Sequence, residues 1–171
     1  MEEIVRILNL LVDEGLILNY AIGGGIATLF YTKPFTTVDV NVFALLGPKA
    51  GLVDLGPIYA RLRDLGYRED GQYVRIGDFP VQLLVPPSDL EVEAVREADT
   101  REIGGNQGRV FRPEYLVAIY LSVYRPKDRV RIEALLNSPS LNHGNLRKLI
   151  ERYRLEERWT RYQRDMTQSE G

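Results

Sequence analysis

The stretch TTVDVNVF, Thr36–Phe43, decides the reading of this chain. Its residues alternate, and β-branched types dominate, so the pattern predicts a strand. Val38, Val40 and Val42 then face one side, and Asp39, Asn41 and Phe43 the other. Two polar groups share one face of an otherwise apolar strand. A pair of carboxylates there would cradle a divalent cation, whereas an Asp beside an Asn supplies half that charge.

Upstream of this strand, EEIVRILNLLVDEG reads as a helix with Ile4, Leu8, Leu11 and Val12 on one stripe and Gly15 as its stop. A short strand follows at Tyr20–Ile22. Gly23, Gly24 and Gly25 end that strand and open an apolar segment, IATLFY, expected to be helical as far as Pro34. Downstream, GPKAGLVDLGPIYARLRDLGY predicts a loop, then a helix from Pro57 to Gly66 that packs through Ile58, Leu62 and Leu65. QYVRIGDFPVQLLVP reads as two strands around a Gly-Asp turn, with Gln82 a further polar group on a short apolar strand. Ser88, with Glu91 three residues on, signals a helix start, and EIGGNQGRVF a hairpin around Gly104–Gly108.

From Pro113 onward the pattern is helical: PEYLVAIYLSVY, PKDRVRIEALLN, a segment after Asn142 and another around Trp159, with the tail DMTQSEG expected to fray. The element order predicts an α+β fold, a small mixed sheet flanked by helices. We expect a core over residues 1–112 and a helical subdomain over 113–171. The order does not fit a doubly wound sheet.

Composition narrows the chemistry. With 171 residues and 44% hydrophobic content, the chain can bury a core of its own. There is no cysteine, which excludes disulfides, thiolate zinc sites and cysteine nucleophiles, and makes an intracellular, cytoplasmic location the expectation. One histidine, His143, leaves no basis for a histidine-rich metal site. No apolar run approaches the roughly 20 residues that span a bilayer, so no membrane partner is expected.

The net charge of −2 hides an asymmetry. Met1–Tyr124 carries 11 basic and 17 acidic residues, and Arg125–Arg164 carries 11 basic and 5 acidic. The basic C-terminal third suits contact with nucleic acid or a protein partner. It equally suits the solvated face of amphipathic helices, because Arg and Glu interleave there.

A glycine turn from strand to helix exposes backbone N–H groups where phosphate oxygens are welcome. Here it stands about fourteen residues ahead of Asp39. On YAIGGGIA (Tyr20–Ala27), TVDV (Thr37–Val40), FPVQLLVP (Phe79–Pro86) and the later RPEYLVAIYLSVYRPKDRVRIEALL, the chain resembles the nucleotidyltransferases of the DNA polymerase beta superfamily, and within them the bacterial AbiEii-like proteins. The resemblance implies a nucleotidyltransferase-like fold with its ligand cleft beside the helical subdomain. It implies a nucleotide held by Gly24 and Gly25 with Thr37 and Lys127, and Mg²⁺ held by carboxylates at the positions of Asp39, Asn41 and Gln82. In such a site metals draw charge from the phosphoryl oxygens while a carboxylate helps deprotonate the attacking hydroxyl.

This sequence departs from that pattern where the chemistry is done. Only Asp39 is acidic; Asn41 and Gln82 are amides, Tyr120 stands where relatives often carry lysine, and Arg131 where they often carry an acid. An amide keeps the carbonyl oxygen but carries no charge and accepts no proton from a hydroxyl. Losing a general base alone costs about 100- to 10,000-fold in rate. The expectation is therefore a weak or inactive transferase that retains Asp39 as its one metal ligand. The alternative is a non-catalytic module binding a nucleotide, a nucleic acid or a protein through the same cleft. An acid such as Asp78, in the turn before Phe79, would restore a carboxylate. His143 reads as a helix-cap neighbour, and Tyr115, Tyr120 and Tyr124 read either as packing or as a stacking platform for a base.

Overall fold

The structure, a computed structural model, describes residues 1–47 and 53–169. Part of the loop expected between Gly47 and Leu55, and the last two residues of the tail, lie outside them. The chain forms two compact units: residues 1–26 with 36–111, and residues 27–35 with those from Arg112 onward.

The first unit is built on a seven-stranded mixed sheet. Its strands are β1 (Asn19–Gly23), β2 (Val40–Leu45), β3 (Arg68–Asp70), β4 (Tyr73–Ile76), β5 (Phe79–Leu84), β6 (Asp99–Ile103) and β7 (Asn106–Val110), and they lie in the order β3-β4-β5-β2-β1-β7-β6. β2 runs antiparallel to β1 and parallel to β5, and β1 runs parallel to β7. This is the small mixed sheet with flanking helices that the element order predicts.

The helix α1 (Glu2–Asp13) buries Ile4, Val5, Ile7, Leu8 and Leu11, all close to zero exposure, and packs on β7. Burial of each such side chain stabilises by about 1.5–3 kcal/mol relative to exposure. α3 (Gly56–Asp64) has proline at its start and buries Ile58 and Leu62. α4 (Asp89–Arg96) begins at Ser88, whose side chain accepts from the Leu90 N–H, and packs on β1 and β2. The Ser88 cap is the one foreseen from the sequence.

In β2 the alternation holds: Val40, Val42 and Ala44 are buried, while Asn41, Phe43 and Leu45 are only partly covered. Its start differs from expectation. Thr36–Asp39 are irregular, and Val38 is 68% exposed. The last rung that β1 offers is Gly23 opposite Asn41, because the chain then turns into α2 (Gly24–Thr28). Residues before Val40 thus have strand-like side chains but no ladder on that side to join.

Other boundaries also move. α2 is one short turn ending at Thr28, β3 was not expected, and the β6–β7 hairpin turns at Gly104 and Gly105 alone. The last helix continues past Asp165 to Ser169, into the stretch expected to fray.

The second unit is helical: α5 (Pro113–Val123), α6 (Pro126–Leu136), α7 (His143–Arg152) and α8 (Glu156–Ser169). α5 is its centre, buried from Pro113 through Ala118 and again at Tyr120 and Leu121, with the other three helices packed around it. Glu114 is 2% exposed and accepts the backbone N–H of Asn142, which ties the start of α5 to the start of α7. No described helix is long and apolar enough to cross a membrane.

Candidate functional site

Four of the sequence-predicted residues come together at one end of the central strands. β2 lies between β1 and β5, so Asn41 is paired with Gly23 on one side and with Gln82 on the other. Partners in register carry their side chains to the same face, which sets Asn41 and Gln82 side by side. Asp39 precedes β2 and accepts a hydrogen bond on Oδ2 from Asn41 Nδ2 at 3.1 Å. Asp39, Asn41 and Gln82 are each half-buried.

The glycines divide their work. A Cβ on Gly23 would lie 2.7 Å from the Phe43 ring and 2.9 Å from the Phe111 ring, so those rings, 4.9 Å apart between centroids, close directly over the backbone. Gly24 has φ +60°, the left-handed region, and a Cβ there would lie 2.7 Å from Asn41 Nδ2. A side chain at Gly24 would thus pay in both backbone strain and collision with the amide. Gly25 is buried in the first turn of α2. The aromatic lid of Phe43 and Phe111 escaped sequence reasoning, and the only signal for it is the outward parity of Phe43 on β2.

The remaining predicted residues stand on other segments. Thr37 is half-buried in the irregular segment before Asp39. Asp78 is exposed in the β4–β5 turn, whose Gly77 abuts Glu3 of α1. Lys127 belongs to the second unit and is exposed in the first turn of α6.

Its neighbour Asp128 is fully buried and is taken up within that unit. Asp128 Oδ2 accepts from the backbone N–H and Nε of Arg125, at 2.9 and 3.0 Å, in a capping box, and Arg131 approaches Oδ1 at 4.0 Å. Arg131 in turn stands 5.5 Å from the Phe35 ring centroid and 5.6 Å from that of Tyr120. The hydroxyls of Tyr120 and Thr28 share a 2.8 Å hydrogen bond in a fully buried setting. Burial pushes the Tyr120 phenol above its ordinary pKa, against the opposing effect of the Thr28 hydrogen bond.

Tyr115, Tyr120 and Tyr124 do not act as one surface: the first two are buried, and Tyr124 donates to Asp165 from the left-handed C-cap of α5. His143 is exposed at the first position of α7, next to the Asn142 cap. Among the described residues no three His, Asp or Glu side chains gather as a metal-holding group.

No protein-family model matches the sequence, and no curated relative matches it. Solved structures do resemble it. An antigenic nucleotidyltransferase-like protein from Paracoccidioides brasiliensis is 16% identical with a TM-score of 0.56, over 89% of this chain and 87% of its own. The antibiotic-resistance factor ANT(2'')-Ia in solution is 18% identical with a TM-score of 0.52, over 95% of both chains. A crystal structure of ANT(2'')-Ia in complex with adenylyl-2''-tobramycin is 20% identical with a TM-score of 0.52, over 91% of this chain and 97% of that one. The chain therefore has a nucleotidyltransferase-like fold.

Proposed function

We propose that this protein is a degenerate nucleotidyltransferase of the AbiEii-like kind, which engages a nucleotide at the Gly23–Gly25 turn and has little or no metal-dependent transfer activity. One observation carries the reading: Asn41 gives its amide hydrogen to the single carboxylate of the cluster, Asp39, at 3.1 Å.

The donor set supports it. A pair of divalent cations is held by hard, charged oxygens. Here there is one carboxylate and two amides, and the nearer amide turns a donor toward that carboxylate and toward Gly24. That set does not fit a metal pair. What the chain's own residues supply is a turn at a helix start for phosphate oxygens and a neutralised polar floor beside it. The likeness to nucleotidyltransferase-like structures supports the class of ligand, and the Thr-x-Asp segment ahead of β2 and the helix pair with Arg125, Lys127 and Asp128 support the kinship.

Calorimetry with each of the four nucleoside triphosphates, with and without excess Mg²⁺, tests the proposal. The native chain is expected to change its affinity by less than about threefold on adding metal, and an Asn41→Asp/Gln82→Asp variant by more than about tenfold. Mg²⁺-dependent incorporation of labelled nucleotide by the native chain, abolished by Asp39→Asn, would overturn the neutralised reading. Absence of binding to any triphosphate would overturn the nucleotide reading.

A further inference from the structure

A cavity separate from the glycine turn lies wholly within the helical unit. Its volume is about 610 Å³, and its walls come from the Tyr31–Lys33 segment and from α6 with the residues that follow it. That size falls within the range of small-molecule sites.

Beside the neutral polar groups of Thr32, Asn137 and Ser138, its walls carry two charged residues. Lys33 and Glu133 are both exposed lining residues, and neither joins an ion pair among the described residues. Opposite charges thus border one cavity without meeting. Glu133 stands in the last turn of α6, a turn with no basic residue. The carbonyl end of a helix favours a cation, and an unpaired carboxylate there adds to the negative potential. Asn137 caps this end and donates Nδ2 to the Glu133 carbonyl at 3.0 Å. The apolar part of the lining is Val130, Ala134 and Pro139, with the ring of Tyr31. Val130 is 68% exposed, the kind of open apolar surface that a ligand's hydrocarbon body would cover.

We propose that this cavity binds a small aminocarboxylate with an apolar side chain, such as a free aliphatic amino acid. The ligand ammonium meets Glu133 and the carbonyl end of α6, its carboxylate meets Lys33, and its side chain lies on Val130, Ala134 and Pro139. A purely anionic ligand would leave Glu133 and the helix end opposed to it, and a purely cationic one would leave Lys33 opposed.

The test is calorimetry of the full chain with L-leucine, L-leucinamide, which lacks the carboxylate charge, and N-acetyl-L-leucine, which lacks the ammonium. Leucine is expected to bind, and each capped form to bind at least about tenfold more weakly, as loss of a charge-assisted contact implies. Lys33→Gln and Glu133→Gln should each weaken leucine by about tenfold or more, since each removes one of the two charge-assisted contacts. Both positions are exposed, so thermal melts of these variants should stay near the native one. No leucine binding, equal affinity for the capped forms, or unchanged leucine affinity in either variant would overturn the proposal.

Discussion

Asn41 is hydrogen-bonded to Asp39 through Nδ2 and Oδ2 at 3.1 Å, and the same Nδ2 is the atom nearest to where a side chain on Gly24 would begin. Replacing Asn41 by Asp turns that attraction into repulsion between two neighbouring carboxylates. With Gln82→Asp added, the variant is expected to lose about 1–3 kcal/mol of stability at low ionic strength. Mg²⁺ should restore much of it, whereas the native melting temperature should stay constant with metal. Thermal melts across a Mg²⁺ titration separate the two behaviours.

Gly24→Ala is expected to destabilise by about 1–2 kcal/mol from its left-handed backbone alone, with collision against Asn41 added. Gly23→Ala should also destabilise, for a different reason: its backbone conformation is ordinary, but the new methyl meets Phe43 and Phe111. A Phe43→Leu change made with Gly23→Ala should therefore recover part of the loss, and it should recover none when made with Gly24→Ala. Urea denaturation of the four variants measures both.

Tyr120→Phe removes the hydroxyl shared with Thr28 and leaves the ring beside Arg131. A loss of about 1–2 kcal/mol is expected, as for one buried hydrogen bond. Amide exchange should report it along α5 and at Thr28, while the β6–β7 hairpin keeps its protection.

Asp128→Asn should cost more, about 3–5 kcal/mol, since it removes the charge that Arg125 and Arg131 converge on in a fully buried position. Chemical denaturation should register the loss, and Lys127→Gln, one residue away but exposed, should fall within about 0.5 kcal/mol of native.

Alkaline pH provides a further check. Burial pushes the phenols of Tyr20 and Tyr162 up to about 12, from an ordinary 10. The unfolded chain ionises first, so the stability they contribute is complete below pH 10 and lost as pH rises toward 12. Melting temperature should fall across that interval. Tyr20→Phe should shrink the fall, and an unchanged slope would count against this account.

How much of this was legible in the sequence depended on whether a feature was local. The Ser88 cap, the Gly-Asp turn between β4 and β5 and the parity of Val40, Val42 and Asn41 follow from neighbouring residues, and all are found in the structure. The convergence of Gly24, Asn41 and Gln82 was visible only as residue types in order; it is strand register that sets them side by side. The start of β2 was misjudged because Thr36–Val38 have strand propensity, while a strand also requires a partner and β1 has none left to give. The packing of Phe43 and Phe111 over Gly23 joins residues 68 positions apart in sequence, a separation no local pattern spans. Asp128, next to Lys127 in the sequence, is buried and engaged by its own helix cap, a difference between neighbours that depends on burial.

The two outermost strands of the sheet carry their own consequence. β3 is only Arg68, Glu69 and Asp70, all exposed, and β6 sets Asp99, Arg101 and Glu102 along the opposite border. Short, charge-bearing margins of this kind make poor templates for another copy's backbone. Concentrated solutions of the folded chain should therefore resist growth into fibres by strand-to-strand addition, even though the sheet itself is left open at both sides.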